Sequence, residues 1–322
     1  MGNLDNASYL TATSIATSVF SLIFWSFGFL RMGTVGLVAQ AHGSNQYEEI
    51  VNLIFQNIVF VIIISLLLVI FQKYIFTIAL SIFDLSNQTS KHFKEYFEIR
   101  IYSSFGELII FIITGLFIGL QRTTISSVVV GFFSITNIVL SLIFVISFDL
   151  DVRGVALGTV LSSTLTAIIF LCYTFFELQK FTSIKINIAK IFNLKKIQKL
   201  FNINLDIFIR SAFLTFSFIF FTYLGNTISE DVVAANTILL NLIMLSAFIL
   251  DAYAFSTEGI VGYSIGSKNK TLLTNVIKNS FILSASTGLF ISLIYLIGKD
   301  NFISLMTDLP DIKNLSFSYS HW

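Results

Sequence analysis

Charge is what this 322-residue chain has least of: 11% of its residues are Asp, Glu, Lys or Arg, against roughly 25% in a soluble domain. With 19 basic and 18 acidic side chains the net charge is +1, and nothing in that balance argues for a nucleic-acid partner. One cysteine, Cys172, excludes a disulfide within the chain. One proline, Pro310, leaves any break in a membrane helix to glycine or to paired serines and threonines. The three histidines, His42, His92 and His321, fall in loops or near predicted helix ends and lack metal-ligand spacing. Phosphate loop, Cys-x-x-Cys pair and serine nucleophile elbow are missing, which disfavours an enzyme and implies no cofactor. Met1 to Ser8 lack the basic start of a cleavable signal peptide, so none is expected.

What fills the sequence is apolar: 55% hydrophobic residues and a mean hydropathy of +0.86. The chain reads as an all-α polytopic membrane protein. A spanning helix needs about 20 mainly apolar residues, and eight stretches qualify: Tyr9 to Gln40, Phe55 to Phe71, Ile101 to Leu120, Ile125 to Phe148, Val155 to Phe176, Ile207 to Leu224, Val232 to Val261 and Val276 to Ile297. The first and seventh are the longest, and they are two copies of one pattern. An offset of 223 carries Gly36-Leu37-Val38 onto Gly259-Ile260-Val261, Gly43 onto Gly266, and Ala12 onto Ala235. Such a repeat predicts two related halves.

Short cytoplasmic loops collect lysine and arginine. After the fifth helix Lys180, Lys185, Lys190, Lys195, Lys196 and Lys199 occur with no acidic residue among them, which predicts a cytoplasmic connection. Lys268 and Lys270 then lie inside, and Asp149, Asp151 and Glu230-Asp231 outside. The mixed-sign stretch from Asp84 to Glu98 is expected as an outside loop. The predicted organisation is a first lobe over 1–178, a basic linker over 179–205 and a second lobe over 206–322. The linker reads as a topology-setting connection, with an amphipathic helix along the membrane surface as the other reading.

Ionisable residues at membrane depth cost roughly 2.5–3.5 kcal/mol on insertion scales and usually face a bundle interior or a water-filled cavity. Asp251 and Glu258, seven residues apart, share one face of the seventh helix, and Arg210 on the sixth is placed to approach it. They read either as a proton or cation site or as a fixed ion-pair lock. Arg31 and Glu107 form a candidate pair in the first half, preferred as structural because arginine keeps its proton. Asn137, Ser141 and Thr159 are uncharged and read as hydrogen-bond glue between adjacent helices.

Several runs resemble one family. They are Phe27-Gly28-Phe29-Leu30-Arg31-Met32-Gly33-Thr34 with Gly36-Leu37-Val38-Ala39-Gln40-Ala41-His42-Gly43; Asn137-Ile138-Val139-Leu140; and Gly154-Val155-Ala156-Leu157-Gly158-Thr159. In the second half they are Asp206-Ile207-Phe208-Ile209-Arg210, Ala234-Ala235-Asn236 and Leu250-Asp251-Ala252-Tyr253-Ala254 with Glu258-Gly259. The sequence resembles the multidrug and toxic compound extrusion (MATE) transporters, in their DinF-like branch, essentially end to end. The resemblance implies two six-helix lobes facing a cavity that opens alternately to each side. It implies export of small organic cations or drugs against an inward flow of H+ or Na+, in the inner (plasma) membrane.

The same resemblance implies that eight of twelve family helices are represented, the first and the last three being absent. The DinF-like cation site centres on an aspartate of that first helix; its other members map onto Asn137, Thr159 and a position where this chain has Ser141 instead of aspartate. Without either carboxylate, a titrating switch in the first lobe is not expected, and coupling falls to Asp251, Glu258 and Arg210. Bare interior faces predict self-association. Two other functions remain: a non-transporting remnant or accessory membrane protein, and a lipid-linked sugar flippase with a basic cavity drawing on Arg31, Arg210 and Arg100.

Overall fold

One helix, apolar on every side, sits at the centre of the first lobe, as a helix without a polar stripe must. This is α6 (Ser104–Gly119), with Leu108, Ile109, Ile112, Ile113, Leu116 and Phe117 all buried. The computed structural model describes residues 7–83, 85–181, 194–307 and 309–320. Around α6 stand α1 (Ala7–Ser26), α2 (Phe29–Gly43), α3 (Tyr47–Ile70), α5 (Asn87–Arg100), α7 (Thr123–Leu142) and α8 (Asp151–Gln179), with the short α4 (Gln72–Ile82) against α3 and α5. The second lobe holds α9 (Leu194–Ile228), α10 (Glu230–Gly266), α11 (Lys270–Met306) and a short α12 (Pro310–Tyr319). Among the described residues eight helices are long and apolar enough to cross a membrane, matching the eight stretches expected.

Two expectations change. The first span is two segments, not one helix: Phe27 N–H donates to the Phe24 carbonyl and Gly28 N–H to that of Trp25, both at 3.0 Å, tightening the chain into a turn. In a chain with so little proline the break falls at a glycine. The stretch expected as an outside loop is instead helical from Asn87 and runs through a 3-10 turn at Ile101–Ser103 into α6. Ser86 caps it, its hydroxyl accepting from Thr89 N–H at 3.3 Å. Thr89, Phe93, Tyr96 and Phe97 turn inward while Lys94 and Glu98, one turn apart, face out at 3.8 Å. Mixed charge here marks an amphipathic helix rather than a loop.

The basic connection's central part, 182–193, including Lys185 and Lys190, lies outside the described residues, as does His321. From Leu194 onward the chain is helical. In the second lobe large side chains such as Phe213, Phe281 and Ile297 are mostly exposed, an apolar exterior suited to lipid.

The repeat shows as geometry. α2 and α10 run side by side in the same direction and touch at their last turns. A Cβ on Gly43 would meet the Tyr263 carbonyl oxygen, and one on Gly266 the Gln40 carbonyl oxygen. The 223-residue offset turns the first of these contacts into the second. Ala39 and Gly262 are counterparts under the same offset, and a Cβ on Gly262 would lie 2.7 Å from that of Ala39. A local two-fold axis therefore passes between them, along the helices. Ala12 and Ala235, another such pair, are both fully buried. α10 meets the first lobe chiefly through α2 and α6, and α9 touches α2 and, more lightly, α1, so the lobes meet most closely at the end where α2 and α10 finish and are more loosely packed towards the other.

Candidate functional site

Close to this seam, on the α10 face turned to the first lobe, is the one place among the described residues where charges of both signs meet across the lobes within the spans. Arg31 of α2 sets its guanidinium 4.0 Å from the centroid of the Phe255 ring. Phe255 is four residues after Asp251 and three before Glu258, so all three share a face of α10. Glu258 feels the charges of Arg31 and Arg210, and Arg31 those of Glu258 and Asp251. None of these charges touches another within 4 Å, so no fixed ion pair joins them. Glu258 and Arg31 are half-buried; Asp251 and Arg210 are exposed. The Phe29 and Phe208 rings meet edge to face beside them, centroids 6.0 Å apart. Asp251, Glu258 and Arg210 are thus joined by Arg31, which the sequence had assigned elsewhere.

The Arg31 to Glu107 pair does not form. Glu107 binds Arg100 at 2.5 Å and accepts from the Ser103 hydroxyl at 2.9 Å. Arg100, Ser103 and Glu107 lie on one face of the continuous α5–α6 helix. The backbone of Arg31 meets α6 at Gly115, eight residues or about 12 Å of helix further along. Depth in the membrane was legible; level along the neighbouring helix was not. With Arg100 so occupied, the basic cavity expected of a flippase loses one of its three cations.

In the first lobe Asn137 Nδ2 donates to the Thr159 hydroxyl at 2.9 Å and to that of Ser162 at 3.4 Å. Ser162, one turn beyond Thr159, was missed, although the i, i+3 spacing marks it. Ser141 stays out of this network: its hydroxyl is buried against Gly158, whose missing side chain makes the room. Thr159→Val is expected to cost about 0.6–1.7 kcal/mol of stability, the range measured for interhelical hydrogen bonds, and to leave transport intact. Denaturation and efflux measured on the same preparation check both halves.

At the end where the lobes meet, His42 lies between the rings of Tyr47 and Tyr263, at 5.8 and 5.3 Å. Glu177 is pinned there by Arg122 and Lys180. At the other end His92 packs on Tyr9 at 4.3 Å. A cavity of about 270 Å³ beside the seam is lined by Gln40, Ser44, Gln46, Glu49, Gln56 and Gly266, among others. No cluster of three or more metal-ligating side chains occurs among the described residues.

Comparison with known proteins gives these features a context. DNA damage-inducible protein F of Escherichia coli strain K12 is 29% identical over 324 residues, spanning 100% of this chain and 70% of that protein. A MATE structure in the bent conformation superposes with a TM-score of 0.87 at 19% identity, covering 97% of this chain and 70% of the other. An outward-facing multidrug resistance MATE family transporter of the MOP superfamily gives 0.83 at 18% identity, covering 95% and 69%. A MOP superfamily transporter from Pyrococcus furiosus Vc1, in which reversed binding-pocket polarity suggests a different function, gives 0.84 at 18%, covering 97% and 69%. The family model described as MatE matches residues 1–143 and 207–322. With the repeat, the eight spans and the two-lobe seam, this places the chain plainly: it belongs to the MatE family of membrane transporters.

Proposed function

We propose that the chain works as a secondary active exporter of small organic cations, multi-pass in the inner membrane, driven by an inward flow of H+ or Na+. The observation that carries this reading is the α10 face bearing Asp251 and Glu258 between cations from the other helices, Arg31 and Arg210, at the junction of the lobes. A carboxylate there can hold an organic cation or the coupling ion, one at a time, and this exclusion is the minimum an antiporter needs. The E. coli relative and the MATE structures support the class of activity; substrate and coupling ion are inferences. The first lobe supplies hydrogen bonds from Asn137 to Thr159 and Ser162, which read as glue. By the charge rule the joined ends of α2 and α10, with Lys268 and Lys270, face the cytoplasm, so the splayed side opens outward.

Asp251→Asn and Glu258→Gln are each expected to cut drug efflux about tenfold or more, the scale of removing a group that the cycle requires. The measurement is accumulation of a fluorescent cation in cells stripped of their own exporters, under an imposed proton or sodium gradient. Unchanged drug resistance in both mutants rejects the assignment. No efflux from the unmodified chain favours the accessory-protein reading instead.

A further inference from the structure

We propose that Arg31 is a positioning residue that ties the charge state of the α10 carboxylates to the contact between the lobes, reaching from α2 to the ring of Phe255 that lies between Asp251 and Glu258. The proposal rests on the reading of those carboxylates as the coupling groups.

Four observations lead to it. The duplicated helix has divided its charges: the 223-residue offset carries Gly28 onto Asp251, Val35 onto Glu258 and Arg31 onto Ala254. One copy is positive and the other negative at neighbouring levels, so the attraction between the two copies acts across the lobes. The guanidinium already lies on the partner helix, over Phe255. Eight residues further on, Ala39 meets Gly262 in the seam, so pulling α10 towards Arg31 also closes that contact. And arginine keeps its proton in proteins, so the variable charge must be on the carboxylate side.

The groups facing Glu258 can be taken helix by helix. α2 gives Arg31 and α9 gives Arg210. α10 itself gives Asp251, two turns away on the same face. α11 turns the hydroxyls of Ser280 and Thr287 to Thr257 and Tyr253 at 2.7 and 2.9 Å. α6 meets Gly259 with Ile118. On α12, Lys313 lies over its own neighbour Phe317 at 6.0 Å.

With both carboxylates ionised, Arg31 draws α10 onto α2 and the seam is shut. A proton arriving from the splayed side and binding one carboxylate removes one negative charge. The attraction falls and the seam is free to part. Once the carboxylate faces the opposite side, an organic cation displaces the proton, the carboxylate is ionised again and the contact re-forms with the cation aboard, so one proton enters for each cation carried out.

The experiment reads the seam rather than transport. Ser44→Cys and Ser267→Cys, exposed residues at the joined ends, are introduced into a Cys172→Ser chain, and cross-linking by a short bifunctional reagent is followed. Glu258→Gln, standing for the protonated acid, is expected to lower cross-linking about threefold in the Arg31 chain and to have no further effect beside Arg31→Gln, the non-additivity of a coupled pair. Arg31→Lys should keep the response to Glu258→Gln, and the swap Arg31→Glu with Glu258→Arg should restore cross-linking. A residue that merely fills space over Phe255 predicts the reverse: Arg31→Gln opens the seam and the effect of Glu258→Gln adds to it unchanged. Additive effects, or a failed swap in monodisperse protein, overturn the proposal. Loss of gradient-driven efflux with an intact charge cycle would overturn the transport reading alone.

Discussion

Gly266→Ala is expected to open the inner seam and stop export, Gly43→Ala to do the same, and Gly36→Ala to do neither. The three glycines lie on the two repeated helices, yet their surroundings differ. A methyl on Gly266 would strike the Gln40 carbonyl oxygen and one on Gly43 the Tyr263 carbonyl oxygen, whereas one on Gly36 has nothing within 4 Å. Backbone cannot swing aside as a flexible side chain does, so the helices must separate. Overpacking of this kind costs typically 1–3 kcal/mol, and as every 1.4 kcal/mol is tenfold, the closed seam would lose about 5- to 150-fold in population. Because the local axis relates the two contacts, each single substitution should act alike and the double one should add little once the helices have parted. A thiol placed at Leu37, which lines the cavity beside the seam, reports the opening in a Cys172→Ser chain, the native thiol being exposed. Its labelling from the joined side should quicken about tenfold in either variant, within the shift just given, and stay unchanged in Gly36→Ala. Unchanged labelling in all three would mean that the helices relax without separating.

That axis was present in the sequence as a spacing, and spacing is what a sequence reports best. Two glycines and an alanine repeated at one offset gave both the two halves and, in the structure, the residues on which they meet. The membrane spans were legible for the same reason, since an apolar run of sufficient length has few alternatives. Asn137 and Thr159 were foreseen as partners across adjacent helices, and they are hydrogen-bonded. The helix from Asn87 to Arg100 was hidden because charge content and helicity are independent. Its Ser86 cap and the inward row of Phe93, Tyr96 and Phe97 carried the signal that average polarity concealed. Arg31 was assigned to Glu107 because both are charges at membrane depth in the first half. Choosing between Glu107 and the α10 carboxylates requires knowing which helices touch at which level, and that is set by small residues: Gly115 fixes Arg31 along α6, and Gly262 brings α10 against Ala39.

Glu107→Gln is expected to lower the stability of the first lobe by about 3–5 kcal/mol, the cost of breaking a buried ion pair on one side only. The Arg100 and Glu107 side chains are 11% and 14% exposed, and the guanidinium lies 5.0 and 5.2 Å from the Phe20 and Phe24 rings. Removing the carboxylate's charge leaves a cation that cannot shed its proton, with no second acid bound to it among the described residues. The rings attract it but offer about 0.5–2 kcal/mol, less than the deficit. Replacing both partners, Arg100→Met with Glu107→Leu, removes the charge along with its counter-charge and should return stability to within about 1–2 kcal/mol of the original chain. Glu177 provides the contrast. It is held by Arg122 and Lys180, whose side chains are 39% and 52% exposed, so its loss leaves cations that water can reach and should cost about 1 kcal/mol or less. Denaturant unfolding of the four proteins in one detergent separates these cases. If Glu107→Gln and Glu177→Gln were equally mild, water would have to reach Arg100 through α1, and the wall formed by Phe20 and Phe24 would not be sealed.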